Sequence, residues 1–581
     1  MMRKSAILIL TCAGLAACAS DSSGGGEDLP IDSEYGKPIL SVDQAQDGKA
    51  DSFDGAYGPR TSGLSASTAV WAPNRRWYEK DDAAGLAWSA NSGLTWDQKY
   101  SAWVASLPRL ESGYSVTFTL TTPWGKTLPS PRLECAETAM FLRATFASWY
   151  ELPFYMSAQS PKYGLIYFGH FGIVDRNGAR VPGYPSFASA YKDHTSLAKT
   201  LTAEDLIARW PSDTSLRGRS LTKLADDANE FLGEDAYAGA YFDEIFLNKR
   251  AGYLLLYLLT NFGSMHLATD ANTFNLAPEA VRPGDVLLER WQRQGIGHTL
   301  VVKTVEEKVA GKLSIEAMFG SMPRIQPRWY DTNLSKPYFT SPLTGGEGES
   351  FDGARYAALG GGLKRWRTPV SKNGRWYNII PVSDRESWVD AADLDAIAAR
   401  PARFEELMGE LTFEEELNVL LVRIDTAREA LQQHPASCSN RTRREEAFTE
   451  LYALLADEKG MDAEAVDRTY RTFDDYVFPE LEYSKSKTCC WNSSTSEMYL
   501  IVTTYNEVRQ REAAQCLEPV AFKAVGGGYD VFADYAASID KAAEWRAWSE
   551  DEPCPQRDVV DDLETAHAWS GFCAVRDDVL D

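Results

Sequence analysis

The chain has 581 residues, 44% of them hydrophobic, enough apolar side chain for a folded protein of roughly two to four domains. Its formal net charge is −24. That balance excludes binding to nucleic acid or to anionic surfaces by bulk charge, although local basic stretches such as Lys364-Arg365-Trp366-Arg367 exist.

Arg3 and Lys4 precede the apolar run from Ala6 to Ala17, which is too short to cross a bilayer and has the form of a signal peptide. The run ends in Leu15-Ala16-Ala17-Cys18. This resembles the lipobox of bacterial lipoproteins, which is cleaved just before its cysteine. The resemblance implies that Cys18 becomes the first residue and carries the lipid, with acyl chains such as palmitate. Ala19, rather than an aspartate, in the second mature position implies by the same likeness an outer-membrane anchor, on the periplasmic or the cell-surface side. Removing Arg3 and Lys4 would take the charge from −24 to −26. Residues 18–65 are rich in Ser, Gly and Asp and read as a flexible tether.

A folded domain is expected over 66–390. Trp96 to Leu107 has helical spacing, with Trp96, Tyr100, Trp103, Val104 and Leu107 on one side. Tyr114 to Leu120 alternates like a strand. Ser130-Pro131 reads as a capping hydroxyl and first-turn proline for a helix running through Cys135 to about Tyr150. That helix is apolar on most sides and is expected to be buried. Lys162 to Val181 reads as two strands around Asp175-Arg176-Asn177-Gly178, and Leu201 to Phe262 as mainly helical. Strands open at Asp285-Val286 and at His298, and Leu313 to Phe319 forms the next. From about Ala391 the pattern is helical, with Arg403 to Gln433 the longest segment, so 391–581 is read as a helical domain.

Cysteine usage divides the chain. Cys438, Cys489, Cys490, Cys516, Cys554 and Cys573 lie in the last third and predict three disulfides in an exported region, with 15 possible pairings. Bridge geometry disfavours pairing of the adjacent Cys489 and Cys490 with each other. Cys12 leaves with the signal and Cys18 is the lipidation candidate, so this arithmetic leaves Cys135 as a thiol. It stands at the head of an apolar helical run, where the helix dipole and N–H groups favour a thiolate.

Thiol chemistry needs a base and a group that orients it. His298 opens an apolar strand in Gly297-His298-Thr299-Leu300-Val301-Val302, and strand alternation places His298, Leu300, Val302 and Thr304 on one face. Glu316 stands 18 positions further, within reach across a hairpin. Pro283-Gly284-Asp285-Val286-Leu287, the Gly-His strand and Ile315-Glu316-Ala317-Met318 together are similar to the second half of the NlpC/P60 and CHAP domains of the papain-like superfamily. The resemblance implies an α+β papain-like fold with Cys135 as nucleophile, His298 as base and Glu316 as orienting residue, cleaving amide bonds in peptidoglycan or peptides through an acyl-enzyme. It covers short pieces of the chain. It also requires an insertion at about 153–280 and lacks a glutamine before Cys135. A second likeness, to transglutaminase-like domains, pairs Cys135 with His170 in Gly169-His170-Phe171-Gly172, with Asp193 as the nearest third residue.

His194, His266, His434 and His567 show no metal spacing, and no zinc, nucleophile-elbow or phosphate-loop motif is present, so neither a metal nor another cofactor is expected. The sequence therefore predicts a lipid-anchored thiol hydrolase that meets the membrane through Cys18, with peptidoglycan or a peptide as substrate. The alternative is a non-catalytic binding lipoprotein on a degenerate enzyme scaffold.

Overall fold

The computed structural model describes residues 55–112, 115–222, 226–293, 297–308, 311–350, 352–482, 494–513, 515–523, 528–546, 563–564 and 571–576. The signal segment, Cys18 and the tether up to residue 54 lie outside them, as do Cys489, Cys490 and Cys554. Folded chain begins earlier than the tether reading implies. A strand at Ala56–Arg60 pairs antiparallel with the strand Arg375–Ile379.

The architecture is mixed helix and antiparallel sheet. Helix α1 spans Trp96–Ser106 and α2 spans Cys135–Trp149. Three strands follow, β1 Tyr155–Ser160, β2 Gly164–Gly169 and β3 Gly172–Asp175, as a meander. Two of these occupy the region expected to hold a hairpin, but the β2–β3 turn is at His170-Phe171. The Asp175–Gly178 turn, whose amides Asp175 caps, comes after β3. Short helices then lead to α3, Lys249–Asn261, and α4, Ser264–Leu267.

The main sheet is built from β4 Thr273–Leu276, β5 Val286–Glu289, β6 His298–Glu307, β7 Leu313–Phe319, β8 Arg328–Tyr330, β9 Gly362–Trp366 and β10 Trp388–Val389, ordered β8-β7-β6-β5-β9-β4-β10. The expected insertion at 153–280 thus ends inside the sheet, because β4 pairs with β9.

One face of this sheet carries α1 and α2. The other carries α5, Thr332–Thr340, and α6, Arg400–Met408. Leu300 and Val302 of β6, Ile315, Ala317 and Phe319 of β7, Phe339 of α5 and Phe404 of α6 form the core on that second face. Helix α6 stops at Gly409, whose φ of +77° suits glycine. Thr412 then caps a new helix, α7 Phe413–Gln433, with Glu415 closing a capping box. The long helical segment expected from Arg403 is therefore two helices. Helix α8, Cys438–Lys459, packs back on α7 around Leu420, Ile424, Phe448 and Leu451. Cys516 and Cys573 form a disulfide with Cα atoms 5.7 Å apart, and Cys438 is also disulfide-bonded. Among the described residues no helix is long and apolar enough to cross a membrane.

Candidate functional site

Helix α2 begins at Cys135 rather than at Pro131. Ser130 is buried and its amide bonds the Phe118 carbonyl, while Leu133 forms a bridge with Ile325, so 130–133 is extended. The cap is Glu134, whose backbone N–H donates to the Glu137 carboxylate at 2.8 Å. Arg324 holds both glutamates: its guanidinium lies 2.7 Å from Glu137, 2.9 Å from Glu134 and 2.8 Å from Asp226. All of Glu137 and nearly all of Arg324 is buried. Carboxylates in the first turn complement the helix dipole, and Arg324 offsets their desolvation. Gly320 is required beside them, because a Cβ there would stand 2.0 Å from the Leu133 carbonyl oxygen.

Cys135 is a half-buried thiol whose sulfur donates toward the Gly297 carbonyl at 3.8 Å. Beside it lies Arg290, fully buried, with its guanidinium donating to Ser264 Oγ at 3.0 Å and to the Gln292 and Arg293 carbonyls at 3.1 Å. Ser264 Oγ also accepts from the Gly297 amide at 2.9 Å. Burial pushes the Arg290 cation down to about 10, and the negative charge of Cys135 opposes that shift. The interaction is mutual, so Arg290 would stabilise Cys135 in its ionised form. The glycine of the Gly-His motif serves this packing, since a Cβ on Gly297 would meet Arg290 Nη1 at 2.6 Å.

The expected partners of Cys135 lie elsewhere. His298 shares its face with Leu300 and Val302, and its ring lies 4.8 Å from Phe319 and 5.8 Å from Tyr338, on the α5 side of the sheet. Cys135 belongs to α2, on the opposite side. Burial lowers the imidazole well below its ordinary value, and the charge that adds to this is Arg443, not the thiolate. Glu316 alternates with Ile315 and Ala317, so it faces away from His298. Its carboxylate accepts from Thr304 Oγ1 at 2.9 Å and from Trp329 Nε1 at 3.2 Å. The ladder sets Glu316 opposite Thr304, six residues along β6 from His298 and so about 20 Å from it.

A bulge explains the face of Thr304. Val302 pairs with Ala317 but Thr304 pairs with Glu316, so one extra residue on β6 turns Thr304 to the face opposite His298. Strict alternation, which grouped Thr304 with His298, fails at that point.

His170 is no closer to Cys135. Its Nδ1 meets the Phe154 carbonyl at 2.9 Å, just past the C-terminal end of α2, whereas Cys135 is at the N-terminal end. A helix of 15 residues spans about 22 Å. Burial lowers His170 to about 4, and it packs against Trp376 and Phe171 as a neutral core side chain. Asp193, the third residue of that grouping, caps Thr195.

No protein-family model, curated protein or solved structure matches the chain. The chemistry must be read from its own side chains. Among the described residues, no three His, Cys, Asp or Glu side chains gather as metal ligands. What α2 and the β5–β6 loop assemble is a thiol held at a helix N-terminus beside a buried guanidinium. Sequence reasoning found Cys135 but missed Arg290. The Glu289-Arg290 pair at the end of β5 reads as strand-end polarity, and its proximity to Cys135 exists only once α2 packs on the sheet.

Proposed function

We propose that this chain is a lipid-anchored binding protein of the bacterial outer membrane, on a papain-like scaffold of NlpC/P60 type, that recognises peptidoglycan or peptides without cleaving them. One observation carries the reading: Cys135 and His298 lie on opposite faces of the same sheet. An acyl-enzyme cycle needs a group to take the thiol proton and return it to the leaving amine. His298 at the far face and His170 at the far end of α2 are both out of reach.

The test uses the full chain with purified peptidoglycan and with short peptides. Co-sedimentation without release of soluble fragments is expected. Fragment release that disappears in Cys135→Ala rejects the binding reading.

A second reading has its own support in Arg290. A guanidinium beside Cys135 favours the thiolate, the form in which the sulfur attacks an amide carbonyl. The chain is then a thiol hydrolase in which water protonates the departing amine. Trapping a Cys135-bound acyl group by mass spectrometry after incubation with an activated peptide ester, and its turnover, selects this reading over the first.

A further inference from the structure

A buried hydroxyl ties three chain segments together next to Cys135. Ser264 opens α4 and is 6% exposed. Its Oγ accepts from Arg290 Nη1 at 3.0 Å and from the Gly297 amide at 2.9 Å. A hydroxyl has two acceptor lone pairs, and these two donors fill them. Arg290 directly follows β5 and Gly297 directly precedes β6. His298 stands opposite Glu289 in the ladder, which sets Gly297 opposite Arg290. Ser264 therefore closes the open end of this strand pair from a third element.

From Ser264 a series of contacts runs to the sulfur. Arg290 Nη2 donates to the Gln292 and Arg293 carbonyls, both at 3.1 Å, so the same guanidinium that reaches Ser264 also folds its own loop around itself. Gly297 touches both ends of the centre. A Cβ there would meet Arg290 Nη1 at 2.6 Å and Cδ at 3.0 Å, and its carbonyl accepts from Cys135 Sγ at 3.8 Å. Helix α4 itself packs on α2.

Two influences oppose each other at that sulfur. The Gly297 carbonyl accepts from the S–H and so favours the thiol, whereas the guanidinium and the head of α2 favour the thiolate. Their balance depends on where Arg290 and Gly297 are held. A guanidinium acts as a charge in a fixed place when its planar fork is anchored. The loop carbonyls anchor Arg290 from one side, and Ser264 anchors it from outside the loop. The other charged and titratable groups near the head of α2 have partners of their own. Arg324 holds Glu134, Glu137 and Asp226, and from α4 the buried His266 accepts the Gly263 amide through Nδ1 at 3.0 Å.

We propose that Ser264 is the positioning residue of the thiol centre, whose hydroxyl fixes the Arg290 fork and the Gly297 peptide beside Cys135 and thereby keeps the sulfur reactive. This deepens the second reading given above, in which the sulfur attacks a carbonyl, and rests on it for the use of that reactivity. The two fail separately, because acyl trapping reads turnover, whereas alkylation reads the state of the sulfur alone.

The test is the rate of Cys135 alkylation by iodoacetamide on the full chain, followed by mass spectrometry of the Cys135 peptide from about pH 5 to about pH 10. In Ser264→Ala, Arg290 Nη1 and the Gly297 amide lose their shared acceptor. The midpoint of the pH profile should move up, and the rate near neutral pH should fall about three- to tenfold. The plateau at high pH, where every sulfur is ionised, should stay at the native level. Ser264→Thr keeps the hydroxyl and should restore the native midpoint. Arg290→Met should slow alkylation about tenfold, and adding Ser264→Ala to it should change nothing further, because Ser264 acts through Arg290. Arg290→Lys leaves Ser264 intact and guards against a misfolded Ser264 variant. It keeps the charge but cannot reach the hydroxyl and both carbonyls at once, so it too should raise the midpoint. A native midpoint in Ser264→Ala or in Arg290→Lys, a change in the plateau alone, a midpoint in Ser264→Thr raised as far as in Ser264→Ala, or further slowing in the double variant would overturn the proposal.

Discussion

The two faces of the main sheet are built on different physics. The α2 face is tied by charge: Arg324 joins Glu134, Glu137 and Asp226, Arg143 stacks 3.5 Å from the Trp77 ring and bonds Asp97, and Lys303 bonds the Ala105 carbonyl. The α5–α6 face is an apolar core that opens, at the β5–β6 end, onto a polar group with unmet hydrogen-bonding capacity. Paired charge fixes the geometry of the first face, while buried polar atoms without a hydrogen-bond partner among the described residues occur on both, Tyr100 and Thr145 on the α1–α2 side and His298 on the other. The thiol belongs to the first face and the histidine to the second. That separation leaves His298 out of reach of Cys135.

The largest expected effect comes from cutting the charged face. Arg324→Ala should destabilise the fold by about 3–5 kcal/mol, because it leaves buried carboxylates without their cation, and urea unfolding measures it. A loss under about 1 kcal/mol would show that the charged face is not tied as described. Acid should act next. His170 is neutral in the fold with a value of about 4, below the 6.5 of an unfolded histidine. The unfolded chain therefore takes the proton first. Stability present above pH 6.5 should fall by up to about 3 kcal/mol as pH drops toward 4, and the lowered His298 acts in the same direction. Thermal unfolding of His170→Gln should show a shallower acid slope; a slope equal to that of the native chain would contradict the neutral buried state.

A smaller effect tests the thiol centre itself. Arg290→Met should slow alkylation of Cys135 by iodoacetamide near neutral pH by about tenfold, as the guanidinium no longer favours the thiolate. Unchanged alkylation would detach Arg290 from the thiol. The smallest effect is expected at Glu316. Glu316→Gln should cost about 1 kcal/mol through its bonds to Thr304 and Trp329, and should leave Cys135 alkylation unaltered. Altered alkylation would break the comparison, for it would restore Glu316 to the thiol site.

Local patterns were legible where they depend on near neighbours. The helix at Trp96, the buried apolar α2 and the strands at Val286, His298 and Leu313 follow from periodicity in the sequence. The α2 start was misplaced because Ser130-Pro131 has the chemistry of a cap, yet Ser130 is spent on Thr117, at 2.7 Å, and on the Phe118 carbonyl. The face of Thr304 was misassigned because a bulge leaves no mark in alternating residues. The contact of Tyr338 with His298 was not legible at all, since the two stand more than 30 residues apart along the chain.

The sequence by itself determined the residue types and the local elements: a thiol heading a buried helix, a glycine-histidine strand, a cysteine-rich last third and an acidic balance. The tertiary structure alone decided which of them meet. A strand sends successive side chains to opposite faces, so one residue of register settles whether His298 looks toward α2 or away from it. Packing placed it away, among Phe319, Tyr338 and the charge of Arg443, and placed Arg290 instead beside Cys135.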